Sequence, residues 1–172
     1  RKVSMKSFKL SVLIPCYNEI STIEEILNRV KNAKPNDKEV IVIDDVSTDG
    51  TLDKLKTLKK LYDKLIVRST NGGKGAAIKD GLKAATGDII IFQDADLEYD
   101  PKEYTKILAP IINGQADVVY GSRFIIGNEH RVLYFWHRLK NVGITFVSNM
   151  FSNLSFTDMQ TCYKCFKAEI IK

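Results

Sequence analysis

The stretch that decides the fold class is IIIFQDADLE, which occupies residues 89–98 and joins an apolar run to an acidic turn. A short run of β-branched and aromatic residues, apolar on both faces, is typical of a parallel strand covered by helices. Four similar runs occur at residues 10–14, 40–43, 65–67 and 118–120. Helix patterns separate them, and this alternation predicts an α/β fold with a mostly parallel central sheet and helices on both faces.

Apolar residues at helical spacing mark the helices between these strands. In residues 23–30 they recur at i, i+3, i+4 and i+7, and Ser21 and Glu24 occupy the two positions of a capping box. We expect Gly87 to end the third helix and Asp100 to be the N-cap of the fourth. The other apolar stripes lie at residues 52–58, 78–85 and 104–111.

The alternation stops after the fifth strand. A long loop is expected over residues 122–137, a helix over 139–154 and a final strand over 160–166. A further helix pattern begins just where the chain ends. We therefore expect a single domain over residues 1–172, cut short at its C-terminus.

Composition excludes several classes of protein. Hydrophobic residues make up 44% of the chain and charged residues 27%, which excludes disordered, collagen-like and small disulfide-rich proteins. No apolar run approaches the ~18 residues that a transmembrane helix needs. The net charge of +5 suits an anionic ligand, an anionic membrane surface or nucleic acid. The three cysteines, an odd number, favour a reducing compartment.

Asp94 and Asp96 are the strongest chemical signal in the sequence. They lie two residues apart in an extended chain, so both carboxylates can point the same way. They also follow a buried strand, at the edge of a parallel sheet where ligands bind. Mg²⁺ or Mn²⁺ would offset their repulsion, and Glu98 could ligate the same ion directly or through water. The alternative is a solvated acidic loop that caps the next helix.

The first two strands also end in polar residues. Pro15 is expected to end the first strand; after it, Tyr17 could stack on a base and Glu19 could accept hydrogen bonds from a ribose or base. Asp44 and Asp45 repel each other, so one carboxylate is expected to turn into the loop and the other toward the cleft. There it could accept an N–H of uracil or guanine. Ordinary turns explain the same residues without a ligand.

Basic residues follow the later strands. The stretch NGGKG at residues 71–75 either brings an anion close to a helix N-terminus or only makes a tight turn. Arg123 could bind a diphosphate through its forked guanidinium, and Arg138 could be a second phosphate clamp. Either could instead form a surface ion pair. Asp158 could act as a general base, position an acceptor, or lie in a plain turn.

Five motifs in this order resemble those of the family 2 glycosyltransferases of the GT-A fold, and most closely the branch that uses polyprenyl phosphates. The motifs are IPCYNE at 14–19, DDVSTDGT at 44–51, GKG at 73–75, DADLE at 94–98 and GSR at 121–123. The resemblance covers residues 8–170, nearly the whole chain. It implies a GT-A, Rossmann-like catalytic domain.

The resemblance also implies roles for individual residues. The nucleotide-binding positions would be Pro15, Tyr17, Glu19, Ile43, Asp45, Lys74, Asp94 and Ala95. The metal ligands would be Asp94, Asp96 and Glu98, the last standing where mannosyltransferases of the family have a glutamine. Arg123 and Arg138 would meet phosphates of the donor or acceptor, and Asp158 would lie near the acceptor. The catalytic residues would be Asp96, Arg123 and Asp158.

The implied activity is inverting transfer of a sugar from a UDP- or GDP-linked donor to a polyprenyl phosphate. Mg²⁺ or Mn²⁺ would be the cofactor, and the cytoplasmic face of a membrane the location. Two alternatives remain: a glycosyltransferase with a saccharide acceptor in cell-surface polysaccharide synthesis, and a non-catalytic module that binds nucleotide sugars. A nucleotidyltransferase would need a glycine-rich loop with arginine where this chain has PCYN. No nucleic-acid partner is expected, because the basic residues between 54 and 83 follow helix periodicity and aromatics are sparse.

Overall fold

One sheet organises the part of the chain that the computed structural model describes, which is residues 7–121, 143, 150 and 163–172. Its strands are β1 (Leu10–Cys16), β2 (Lys38–Asp44), β3 (Lys64–Val67), β4 (Ile89–Phe92), β5 (Val118–Tyr120) and β6 (Lys164–Lys167). Their spatial order is β3-β2-β1-β4-β6-β5. β1 pairs in parallel with β2 and β4, β2 pairs in parallel with β3, and β6 runs antiparallel to both of its neighbours. The mostly parallel sheet expected from the sequence is confirmed.

Helices cover both faces of this sheet. Their bounds are α1 (Ile23–Asn32), α2 (Thr51–Thr57), α3 (Gly73–Ala84), α4 (Tyr104–Ile112) and α5 (Ala168–Ile171), with a 3₁₀ turn at Pro101–Glu103. Successive side chains of β1 alternate between two apolar clusters, because side chains in a strand point to opposite faces. Val12 and Ile14 pack in the cluster with α1 and α4, and Leu13 packs in the cluster with α3 and α5. The expected placement of helices on both faces of the sheet is confirmed.

The predicted capping box of α1 is wrong. The helix begins at Ile23 with Thr22 in the cap position, and no side chain caps it. The backbone N–H groups of Thr22 and Ile23 donate instead to the carbonyl oxygen of Glu19, at 3.1 and 2.9 Å. A turn closing on Glu19 therefore supplies the acceptor that the sequence assigned to Ser21. Asp100 is an N-cap, but of the 3₁₀ turn and not of the fourth helix: its side chain accepts from the N–H of Lys102 at 3.0 Å, whereas α4 begins at Tyr104 with Glu103 in the cap position.

Gly87 does not end α3, which stops three residues earlier at Ala84. Gly87 lies instead where the following loop presses against β1. A Cβ at this position would lie 2.6 Å from Ser11 Oγ, 2.7 Å from the carbonyl oxygen of Lys9 and 2.8 Å from the backbone nitrogen of Ser11. The position requires glycine because the loop approaches the strand closely.

Pro15 does not end β1, which continues to Cys16. The strand pairs with β4 only from Leu10 to Leu13, whereas its pairing with β2 runs to the end. The carbonyl of Leu13 points to the β4 side, where it accepts from Gln93 N at 3.0 Å. The backbone N–H of residue 15 would point to the same side, and β4 has already ended there. The N–H that proline lacks is therefore not needed for strand pairing, and β1 continues past Pro15.

The predicted loop over residues 122–137 lies outside the described residues. Of the helix expected over 139–154, the structure describes Gly143 and Met150, both helical. The expected last strand corresponds to β6, and the helix pattern at the chain end corresponds to α5. Within the described residues, no helix combines the length and apolarity required to cross a membrane.

Candidate active site

Three neighbouring parallel strands and one helix surround a cavity of about 420 Å³. β1, β2 and β4 all end at the same edge of the sheet, and the N-terminus of α3 faces that edge, where ligands of open α/β sheets bind. The lining residues expected from the sequence are Pro15, Tyr17, Glu19, Asp45, Lys74, Asp94, Ala95 and Asp96. The other lining residues are Asn71 and Gly73 of the NGGKG stretch, Cys16 of the IPCYNE motif, which was given no role of its own, and Ala77, which sequence reasoning missed.

The loops after β1 and β2 are bonded to each other. Asn18 has a positive φ of 57°, and its Oδ1 accepts from the N–H of Thr48 at 2.8 Å. The N–H of Asn18 donates to Ser47 Oγ at 3.0 Å, and that of Glu19 donates to Thr51 Oγ1 at 2.9 Å. These bonds fix the backbone on both sides of Tyr17, whose side chain is half-exposed at the cavity. A held, accessible aromatic ring can stack on a base.

Asp44 and Asp45 divide as their repulsion predicts. Asp44 is fully buried and turns into its own loop, where its Oδ2 accepts from the N–H of Ser47 at 3.2 Å. Asp45 is also buried but lines the cavity. Its carboxylate accepts from the N–H groups of Gly72 at 3.1 Å and Gly73 at 2.7 Å, and forms an ion pair with Arg68.

Asp45 stays ionised despite its burial. Burial raises the pKa of its carboxyl, but hydrogen bonds from Gly72, Arg68 and Gly73 and the charge of Arg68 outweigh it, so the pKa falls below its ordinary value. The neighbouring Cys16 behaves in the opposite way. Burial, together with the adjacent carboxylate of Asp44, raises the pKa of its thiol, so the sulfur remains protonated and unreactive.

The glycine stretch does not offer its first N–H groups to a ligand. α3 begins at Gly73, and the N–H groups of Gly72 and Gly73 both point at the carboxylate of Asp45. The anion that a helix N-terminus favours is therefore a side chain of this protein. Gly73 has a φ of +77°, and a Cβ at Gly72 would lie 2.7 Å from Arg68 Nη1, so both glycines are needed for this arrangement.

Asp94 and Asp96 both line the cavity. The buried Ala95 separates them, and Leu97, with a φ of 65°, turns the backbone so that the N–H of Glu98 donates to Asp96 Oδ1 at 2.9 Å. Lys74 Nζ lies 2.5 Å from Asp94 Oδ1. This ion pair joins the first turn of α3 to the acidic turn.

Gln93 anchors the acidic turn from beneath. Its side chain is fully buried, and its Nε2 donates to the carbonyl oxygens of Asp94 at 3.0 Å and Tyr99 at 3.3 Å. Its Oε1 accepts from the hydroxyls of Tyr104 at 2.7 Å and Tyr163 at 3.1 Å. Satisfied buried networks of this kind hold one conformation. A lone polar residue ending an apolar strand was the sequence signal for it.

The two aspartates fit a divalent ion that shares its coordination with a ligand. Carboxylate oxygens are hard ligands, and Mg²⁺ typically takes one or two of them plus phosphate oxygens and water. Within residues 7–121 and the described tail, no group of three His, Cys, Asp or Glu side chains is placed to hold an ion. Glu98 does not line the cavity, and its contact with Asp96 is through its backbone. Its role as a ligand stays a prediction.

Ile43 is placed differently from the expectation. Its side chain is fully buried under α3, where a Cβ added to Gly81 would lie 2.9 Å from Ile43 Cδ1. It therefore supports the cavity from below and is not part of its lining. Arg123, Arg138 and Asp158 lie outside the described residues. Their roles stay predictions.

Comparison with known proteins finds one matching family and several similar sequences. A family model described as Glycosyl transferase family 2 matches residues 11–172. A dolichol-phosphate mannosyltransferase of Pyrococcus furiosus is 35% identical over 83% of this chain, which spans 41% of that relative's length. A UDP-N-acetylglucosamine–dolichyl-phosphate N-acetylglucosaminyltransferase of Methanococcus voltae is 28% identical over 94% of this chain and 70% of its own length.

A solved structure supports the fold assignment. Glucosyl-3-phosphoglycerate synthase from Mycobacterium tuberculosis, crystallised with Mn²⁺, UDP and glucosyl-3-phosphoglycerate, superposes with a TM-score of 0.69. The sequences are 20% identical, and the match covers 95% of this chain and 58% of that one. This likeness confirms the GT-A fold. With the family match over most of its length, the chain belongs to glycosyl transferase family 2.

Proposed function

We propose that this chain is a catalytic domain that transfers a sugar from a nucleotide diphosphate sugar to a polyprenyl phosphate. The observation that carries the proposal is that Tyr17, Asp94 and Asp96 line one and the same cavity. An aromatic face suits a base, and paired carboxylates suit the metal-bound diphosphate attached to it. Two relatives named for dolichyl or dolichol phosphate support the choice of acceptor.

Binding would begin with the nucleoside. Tyr17 would stack on the base, Asp45 would accept from a base N–H, and Glu19 would accept from the ribose. The ion pair with Arg68 neutralises Asp45, so its charge does not repel an anionic donor. Lys74 is a cation in the same cavity and would attract the diphosphate.

Asp94 and Asp96 would hold Mg²⁺ or Mn²⁺. Such an ion would supply Lewis-acid neutralisation of the leaving diphosphate. The buried Gln93 network keeps the backbone beneath Asp94 in one conformation, so the carboxylate needs little reorganisation when the donor binds. Arg123 and Arg138 are proposed to add positive charge at the phosphates of donor and acceptor.

The acceptor is proposed to attack the anomeric carbon from the face opposite the diphosphate, which inverts the configuration. A lipid phosphate is already anionic, so it needs no strong base. Asp158 would then orient the acceptor and would not remove a proton from it. Because the acceptor is a lipid, the domain is proposed to work at the cytoplasmic face of a membrane, where the net charge of +5 suits anionic headgroups.

A transfer assay tests the proposal. The purified chain is incubated with Mn²⁺, polyprenyl phosphate and radiolabelled UDP-glucose, UDP-N-acetylglucosamine or GDP-mannose. We expect label from one donor to pass into the lipid extract, and none when the acceptor or the ion is omitted. Transfer to a saccharide in place of the lipid would replace the proposed acceptor. Binding of nucleotide sugars without turnover on any acceptor would contradict the catalytic assignment.

A further inference from the structure

Arg68 lies between two carboxylates beside the cavity. It directly follows β3, and its backbone N–H donates to the carbonyl oxygen of Asp44 at 3.0 Å, which continues the pairing of β3 with β2. Its side chain is largely buried and forms an ion pair with Asp45 through Nη1. Its Nε donates to Oδ2 of Asp80, in α3, at 2.9 Å. One guanidinium therefore connects the end of β2 to the body of α3.

The backbone of Gly72 forms the surface against which this guanidinium packs. A Cβ at Gly72 would lie 2.7 Å from Nη1 and 3.0 Å from Nη2 of Arg68. The N–H of Gly72 meanwhile donates to the carboxylate that Arg68 holds. Asp45 thus accepts from the side chain of Arg68 and from the backbone of Gly72 and Gly73, which leaves its carboxylate little freedom to rotate.

Arg68 itself does not line the cavity, whereas Asp45 does. We propose that Arg68, anchored by Asp80, is a positioning residue that fixes the carboxylate of Asp45 for recognition of the donor's nucleoside. The proposal rests on the proposed function, since it assigns Asp45 to the nucleoside. Asp80 restrains the guanidinium through Nε and leaves Nη1 directed at Asp45. A planar fork can bridge two carboxylates in this way, and a lysine ammonium cannot hold the same geometry.

Nucleotide affinity, measured by calorimetry with UDP and GDP, is the direct test. We expect Arg68→Met to weaken binding about tenfold, the lower end of the losses known for residues that orient metal ligands, and Arg68→Lys and Asp80→Asn to weaken it less. The matched control is Lys83→Met, because Lys83 also pairs with Asp80 but is mostly exposed. We expect it to bind like the wild type.

Kinetics separate positioning from a general structural role. Loss of uniform donor binding raises KM for the donor and leaves kcat nearly unchanged. A double-mutant cycle with Asp45→Asn is sharper: if Arg68 acts through Asp45, Arg68→Met should cost almost nothing further in that background. An equal loss of affinity in both backgrounds would overturn the inference. If Arg68→Met does not fold, Arg68→Lys or Asp80→Asn replaces it in the same double-mutant cycle with Asp45→Asn.

The two proposals fail in different ways. A wild-type protein that binds UDP or GDP while Arg68→Met binds it equally well contradicts the positioning role alone. A wild-type protein that binds neither nucleotide contradicts the proposed function, and the positioning role with it.

Discussion

Lys74 and Asp94 form an ion pair across the cavity, with 2.5 Å between Nζ and Oδ1. Lys74 belongs to the first turn of α3, and Asp94 follows β4, so the contact joins two elements that both face the donor site. A cation already lies against one of the two proposed metal ligands. A metal ion bound to Asp94 would therefore compete with Lys74 for that carboxylate, and a bound diphosphate would offer the ammonium of Lys74 a second anionic partner.

We expect Lys74→Met to change the affinities for ion and nucleotide in opposite directions. Removing the ammonium should strengthen Mn²⁺ binding to the free protein about threefold to tenfold, in line with a surface-exposed charge interaction of about 1 kcal/mol. It should weaken UDP and GDP binding, because a positive charge near the diphosphate is lost. Electron paramagnetic resonance of free Mn²⁺ measures the first effect and calorimetry the second. Lys79→Met, at an exposed position of α3, is the control. Unchanged Mn²⁺ affinity would show that Lys74 does not compete with the ion.

Asp96→Asn tests the metal role without disturbing the acidic turn. The amide oxygen can still accept from the N–H of Glu98, so the loop should keep its shape. Losing one anionic ligand should lower kcat/KM at least about 100-fold, as expected for several kcal/mol of metal-assisted charge stabilisation. The thermal midpoint should change little. Asp53→Asn, at an exposed position of α2, is the matched control. Full turnover by the Asp96 variant would remove the aspartate from the mechanism.

Much of the fold could be predicted because buried parallel strands are visible in the sequence as short apolar runs. The site followed from the same reasoning, since polar residues at the ends of such runs meet at one edge of the sheet. Asp45, Asp94 and Asp96 were located in this way, Lys74 was located through the NGGKG stretch and the family resemblance, and all four line the cavity. The rule was not applied to the end of β3, and Arg68 was therefore missed.

Other features depended on three-dimensional packing that no local pattern contains. Ile43 packs on the same face of the sheet as Leu13, in the cluster under α3. Because β2 is buried on both faces, the alternation of its side chains could not predict whether Ile43 lines the cavity. The pairing of Arg68 with Asp45 spans 23 positions in the chain. The role of Gly87 depends on how closely its loop approaches β1. Glu19 displaced the capping box because its carbonyl closes a turn of its own.

Glu39 is expected to make stability depend on acid pH. It is buried, and its Oε1 accepts from Ser11 Oγ at 2.6 Å and Thr86 Oγ1 at 2.9 Å, while Oε2 lies 3.4 Å from the ammonium of both Lys9 and Lys64. Burial raises the pKa of its carboxyl, but the hydrogen bonds from Ser11 and Thr86 and the charge of Lys64 outweigh burial, so the pKa falls to about 2. The ionised form thus stabilises the fold.

The sign of the pH effect follows from that depressed pKa. Since the folded-state pKa lies below the ordinary 4.5, the stabilisation is complete above that pH and is lost as the pH falls toward about 2. Glu39→Gln should reduce the free energy of unfolding by about 3 kcal/mol at neutral pH, as for a broken buried pair. The difference should shrink in urea titrations below pH 4.5. A difference independent of pH would contradict this account. Glu24→Gln, at a half-exposed pair with Lys54, should change little.

Two glycines should respond to alanine in opposite directions. At Gly87 a Cβ would collide with the backbone of Lys9 and Ser11, at 2.7 and 2.8 Å, and these atoms belong to or adjoin the central strand. At Gly75, in the first turn of α3, a Cβ would meet nothing within 4 Å. Gly87→Ala should therefore lower the free energy of unfolding by about 3 kcal/mol, the upper end of overpacking effects.

Gly75→Ala should raise the free energy of unfolding by about 0.5 to 1 kcal/mol, because alanine loses less backbone entropy in a helix. Urea denaturation of both variants measures the two effects against the same wild type. The collision at Gly87 involves backbone atoms, which cannot rotate away as the end of a side chain can. Equal stabilities for the two variants would mean that the loop after α3 does not press on β1, and that the network around Glu39, which includes the N–H of Gly87 at 3.2 Å, is looser than the structure shows.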